Sequence, residues 1–245
     1  CHLVDVEDGA RRVYSAADGP GYVYADGTGG VPKIAMDNGR RGEHRREVIM
    51  SWPIMRTDRG TMVDYKNGFW EAGAGTGRPV TFINCAALNH HSTYCGMSSA
   101  IKNFLGVSDL SGGPDPFDGG KLTPASYNFH SFPFDKWSKG PVPGMLGAQI
   151  GLFMRAVRTP DLHLVTAQHV GLISRTGGPV AHPRTVLAST DPVALDYYGS
   201  RCVLYPQSGL SVHHPDNDPL RAELVACAKA GGFSFGGETV RLKGY

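Results

Sequence analysis

No stretch of this sequence approaches the ~20 consecutive apolar residues that a membrane-spanning helix needs. Charge is also scarce. Asp, Glu, Lys and Arg make up 19% of the chain, against about a quarter in ordinary globular domains. Disordered chains are held open by charge and low hydrophobicity, so this one is expected to fold. The formal net charge is only +2. That leaves no long-range field for gripping nucleic acid or anionic lipid. The five cysteines, Cys1, Cys85, Cys95, Cys202 and Cys227, form no C-x-x-C and no C-x-x-C-H. A zinc knuckle, a ferredoxin-type cluster and a c-type haem attachment therefore lack a local motif. Their odd number and wide spacing do not describe a disulfide framework. Cys85, Cys202 and Cys227 lie in apolar stretches and read as buried thiols. No G-x-G-x-x-G follows a strand pattern and no G-x-x-x-x-G-K-[ST] occurs, so nucleotide binding has no motif behind it.

What is present is a core and many turns. Hydrophobic residues make up 41% of the chain, and Gly (33) with Pro (17) predicts long, shaped loops. Residues 1–245 are read as a single α/β domain, with a loop-rich N-terminal region over 1–78 and the core over 79–245. The one basic cluster, Arg40, Arg41, His44, Arg45 and Arg46, is broken by Glu43 and Glu47 and reads as a solvated loop face. Cys1 rather than Met begins the sequence. A truncated start is the simpler reading, and a lipid-modified cysteine left after export is the other.

Residues 47–56 and 61–66 read as strands, joined in a hairpin around Asp58-Arg59-Gly60. Pro79–Ala86 and Thr185–Ala188 predict buried strands, and Leu162–Ala167 is a further strand candidate. Met97, Ala100, Ile101, Phe104 and Leu105 follow helical spacing and predict a helix over 95–105. A second helix is expected over 145–157, with Leu146, Ile150, Phe153, Met154 and Val157 on one face. Asp191-Pro192 carries an N-cap followed by Pro at N1 and opens a helix to about Leu204. The same pair at Asp218-Pro219 predicts a helix that stops at Gly231-Gly232. Residues 106–144, rich in Gly, Pro and aromatics, read as a long cover or lid loop. The expected architecture is an α/β sheet covered by helices.

The segment from Asn89 to Gly106 reads NHHSTYCGMSSAIKNFLG. It resembles the signature of domain-of-unknown-function family 362, in which a His loop leads to Gly, a Lys-Asn pair and a second Gly. Here those are His91, Gly96, Lys102, Asn103 and Gly106. The segment VLASTDPVALDY, residues 186–197, is similar to the family's second hallmark through Ser189, Asp191, Pro192, Val193, Ala194 and Asp196. The resemblance covers about residues 79–230. Asn89 stands where the family often has Lys. The resemblance implies an α/β fold and no settled activity. Some relatives carry ferredoxin-like clusters and some are exported.

Ligands of open α/β sheets bind beyond the carboxyl ends of the strands. His90 and His91 stand at such an end. The expected helix behind them would offer unpaired amides, with Ser98, Ser99, Lys102 and Asn103 on its polar face, to a carboxylate or phosphate. Cys95 at its start is a candidate thiolate. The polar run His213-His214-Pro215-Asp216-Asn217-Asp218 mixes imidazoles and carboxylates. If it meets the first loop in space, His90, His91, His213, His214 and Asp216 become candidate ligands of a divalent metal ion. Asp191 and Asp196 are read first as cap and packing residues, with Asp191 also a candidate ligand contact.

Two functions follow. The first is a metal-dependent or anion-binding enzyme of open reaction, with His91 and Lys102 as its catalytic candidates and a small anionic ligand. The second is a non-catalytic accessory subunit of a larger, exported assembly, docking on a protein partner. The sequence leaves the oligomeric state and compartment open.

Overall fold

The computed structural model describes residues 21–37, 47–57, 59–91, 94–109, 113–114, 122–123, 129, 143–174 and 177–235. The basic cluster at 40–46, Cys1 and most of the 106–144 loop lie outside them.

The N-terminal region, expected to be loop-rich, builds strands: β1 (Gly21–Tyr24), β2 (Ala35–Asp37), β3 (Glu47–Ile49), β4 (Ser51–Arg56), β5 (Met62–Asp64), β6 (Gly68–Glu71) and β7 (Ala74–Gly75). Five of them form an antiparallel sheet in the order β1-β4-β5-β6-β7, while β2 pairs with β3. The β4–β5 hairpin is the one expected from Asp58-Arg59-Gly60, with Ile54 opposite Asp64. Trp52, Ile54 and Tyr65 from this sheet are buried in the same hydrophobic cluster as Phe104 and Phe153. Tyr65 lies 4.7 Å from the Phe82 ring and 5.7 Å from that of Phe153.

The remaining described strands include those that hold the candidate site. They are β8 (Ile83–Ala87), β9 (Asn89–His90), β10 (Met97–Ser98), β11 (Gly113–Pro114), β12 (Leu122–Thr123), β13 (Leu162–Ala167), β14 (Val170–Gly171), β15 (Val180–Ala181) and β16 (Thr185–Ser189). The helices are α1 (Met145–Ala156), α2 (Pro192–Tyr198), α3 (Tyr205–Ser208) and α4 (Leu220–Gly231). β13 is central in a three-stranded sheet, parallel to β8 and antiparallel to β16.

Among the described residues this sheet is covered on one face only. Asn84 and Ala86 of β8 and His163, Val165 and Ala167 of β13 point into the core. Ile83 is 51% exposed and Val186 62%, and Cys85, Ala87 and Ala188 are exposed with them. The apolar runs that predicted fully buried strands alternate in burial instead. Cys85 and Cys202 are likewise exposed free thiols, whereas Cys227 is buried as expected.

α1 follows its expected face, with Leu146, Ile150, Phe153 and Met154 buried. Its approach to α4 depends on Gly147 and Gly151. A Cβ on either would run into the α4 backbone at Glu223 or Cys227. α2 begins as the sequence predicts: the Asp191 carboxylate accepts from the Val193 and Ala194 amides at 2.8 and 3.0 Å. The helical run continues through a π-helical stretch, Gly199–Leu204, into α3. α4 stops at the left-handed Gly232, as expected. Asp218 does not cap it. The helix starts one residue later than read, with Pro219 at its N-cap and no side-chain cap, and the Asp218–Pro219 bond is cis.

Candidate functional site

The expected helix over 95–105 is not formed. Met97 and Ser98 turn back and pair with His90 and Asn89 as a hairpin. A 3-10 helix begins only at Lys102 and ends at Gly106. The five apolar positions are all buried, so their spacing marked the core correctly but not the backbone. Gly96 explains the difference. Its φ is +75°, a left-handed conformation that interrupts a helix and favours glycine.

A second cause is Asp196 on α2. Its carboxylate accepts from the amides of Ala100 and Ile101 at 2.8 and 2.9 Å. The chain's own carboxylate therefore holds two amides that an unbroken helix over 95–105 would have paired with its own carbonyls. Asp196 is 2% exposed, and burial pushes its pKa up to about 6 despite these donors. Ser99 is buried beside it. Both family segments thus meet in one structural joint.

Asn103 belongs to the same joint. Its amide donates to Asn84 Oδ1 at 2.6 Å and to the Cys85 carbonyl at 3.2 Å. Asn84 in turn donates to the Ala100 carbonyl and meets His163 Nδ1 at 2.9 Å. The donating amide leaves Nδ1 as acceptor, so His163 carries its proton on Nε2. His163 is fully buried and its pKa is depressed to about 4 by desolvation.

The Lys102 charge bears on Glu223 of α4. Glu223 is buried and accepts from the Gly147 amide, and desolvation raises its pKa to about 8 while Lys102 pulls the other way. The ordinary value is 4.5. A carboxyl whose folded pKa is raised stabilises fully below the ordinary value and loses that stability as pH rises through the folded one. Glu223→Gln keeps an acceptor for Gly147 without the ionisation. In thermal melts it should match wild type at pH 5 and exceed it at pH 9, by on the order of a few kcal/mol. Equal stability of the two proteins at pH 9 would show that Glu223 does not titrate in this way.

The two histidine clusters do meet. His90 Nδ1 lies 2.9 Å from His213 Nε2, with the rings edge to face, across 123 residues of sequence. His213 is fully buried on the short 3-10 turn Ser211–His213. The turn is held by Ser200 of the π-helical stretch, whose hydroxyl donates to the His213 carbonyl. Its other ring nitrogen, Nδ1, meets Ser208 Oγ at 2.7 Å. Desolvation, with His90 adding to it, depresses the His213 pKa to about 4. The chain Ser208–His213–His90 has the connectivity of a nucleophile relay. An imidazole with so low a pKa is a weak general base at neutral pH. A neutral imidazole oriented through its second nitrogen is what a metal ligand requires.

The other candidates separate into pairs. His91 points away from His90, as neighbours in extended chain do, and its Nδ1 meets Cys95 Sγ at 3.3 Å. Both are buried, in a hairpin turn and not at a helix start. His214 Nδ1 is 3.9 Å from Asp216, whose carboxylate accepts from Arg201 at 3.0 Å and from the Tyr197 hydroxyl at 3.2 Å. Among the described residues no three His, Cys, Asp or Glu side chains gather as a metal cluster. The five-residue ligand set is therefore not assembled as a whole. Ser208 was missed because a lone serine before Gly209 carries no signal in sequence.

β9 and β14 leave the carboxyl ends of the parallel strands β8 and β13 and lie against each other. Asn89 Oδ1 accepts from the Gly171 amide at 2.9 Å. The His90–His213 pair thus stands at the rim where α/β sheets bind ligands.

This α/β core with its two joined motifs defines the class of protein. Residues 80–201 match the model of the family described as Domain of unknown function (DUF362), and the chain belongs to that family. The match holds His90, His91, Lys102 and Asp196 but ends before Ser208 and His213. Comparison with curated proteins and with solved structures gave no match. No described helix is long and apolar enough to cross a membrane.

Proposed function

We propose that this chain is a metal-dependent enzyme that holds one borderline divalent ion between His90 Nδ1 and His213 Nε2. The observation that carries this reading is the 2.9 Å separation of the two nitrogens. Two ligands at right angles on an ion with bonds of 2.0–2.1 Å, as on square-planar Cu(II), sit about 2.9 Å apart; on tetrahedral zinc they sit about 3.4 Å apart, which the pair reaches by opening a few tenths of an ångström. The neutral state of His213, its Ser208 support and its place at the carboxyl rim all agree with a ligand role. With two protein ligands, the ion keeps positions for water and substrate, and would polarise a substrate oxygen or activate a water.

In a titration of the chelator-treated chain with Zn(II) or Cu(II), His213→Ala and His90→Ala should each abolish one equivalent. Ser208→Ala, which removes only the outer support, should weaken it by roughly 10–100-fold. Unchanged binding in His213→Ala would overturn the proposal.

The exposed apolar sheet face of Ile83 and Val186 favours a second reading, an accessory subunit that docks through that face. Self-association or co-purification that a Val186→Glu substitution abolishes would favour it over the first.

A further inference from the structure

The geometry points to a second, solvent-open metal site made by His169 and His182. The two residues bracket the β14–β15 hairpin, whose pairs are Val170 with Ala181 and Gly171 with Val180. His169 precedes the first strand and His182 follows the second, so they face each other as the next cross-strand pair. Their Nδ1 atoms are 2.8 Å apart, with the rings at 88°. Both side chains are exposed.

Three features make this a chelate rather than two surface histidines. The nitrogen separation is close to the about 2.9 Å expected of cis ligands on a transition ion. The hairpin itself is anchored: Gly171 donates to Asn89, and a Cβ on Gly171 would strike the Ser174 carbonyl. Both imidazoles are reachable from water, so the ion enters without unfolding anything and keeps its remaining positions for solvent. Two fixed imidazoles suit Cu(II) best, with Ni(II) and Zn(II) weaker, in the usual order for nitrogen sites. The hydrogen bond between the rings puts a proton on one Nδ1; on binding, that proton is lost to water while Nε2 of the same ring takes one up, and the ion binds both Nδ1 lone pairs.

This site shares no residue with the His90–His213 pair, and it stands or falls separately. The test is Cu(II) titration of the full chain in a non-coordinating buffer, read by calorimetry and by electron paramagnetic resonance. It is run in the His213→Ala background, where the first pair is broken. One equivalent with a nitrogen-ligand signature is expected there. Adding His182→Ala or His169→Ala should remove it or weaken it roughly tenfold or more. The added substitutions should leave the metal-free melting temperature unchanged, because both side chains are exposed. Binding that is absent in the His213→Ala background, or that persists after His182→Ala, overturns the assignment. Loss of both equivalents on His182→Ala alone overturns it too, since the two pairs would then form one site.

Discussion

Gly96→Ala is expected to lower stability by about 3 kcal/mol or more and to abolish the metal equivalent assigned to His90 and His213. Two effects act together. The residue has φ +75°, which costs an L side chain about 1–2 kcal/mol. The new methyl would also lie well inside contact distance of the Val212 carbonyl oxygen and tight against Leu220 Cβ. Val212 immediately precedes His213. Relief of the overlap must move either the hairpin that carries His90 or the turn that carries His213. Denaturant unfolding measures the first effect and metal titration the second. Wild-type stability in Gly96→Ala would show that the hairpin and the turn do not press on each other there.

Asp196→Ala should be at least as damaging, with a loss of about 3–5 kcal/mol. The substitution leaves the Ala100 and Ile101 amides without their acceptor inside a site closed to water. Hydrogen bonds to an ionised group contribute about 1.5–3 kcal/mol each, and an orphaned buried donor costs about 1–3. Asp196→Asn is the informative companion. Its carbonyl serves one amide while its own NH2 group opposes the other, so it should recover only part of the loss. Unfolding midpoints of the two variants decide the matter. A cost below about 1 kcal/mol for alanine would mean that the carboxylate does not organise the start of the 3-10 helix.

This second substitution also accounts for the family's paired motifs in physical terms. The aspartate of one segment caps the backbone of the other. Asn103 then ties that backbone to Asn84 on β8. Of the residues offered as ligand contacts, Asn103 and Asp191 are engaged with the chain's own backbone and side chains. The candidate chemistry shifts from the helix start to the imidazoles at the rim.

Features set by neighbouring residues were legible in advance. Leu162–Ala167 is strand and Met145–Ala156 is helix because their apolar periods are unambiguous over several residues. Asp191-Pro192 opens a helix because cap and ring act within one turn. Gly232 ends one because it alone tolerates the left-handed cap. The β4–β5 hairpin follows from Gly60 between two short β-forming runs.

Sequence by itself determined the buried positions of 97–105 and of α1, where α2 would open and α4 stop, and that imidazoles would stand at a strand end. Tertiary structure decided what those imidazoles meet. Periodicity over 97–105 could not report a carboxylate 96 residues away at Ala100, and nothing local ties His90 to His213. Nor does a two-residue strand announce the register that sets His169 against His182. The reason is physical. Local signals arise from backbone sterics and side-chain period, which act over a few residues. A site made of single side chains from distant segments exists only after the shared core has brought those segments together.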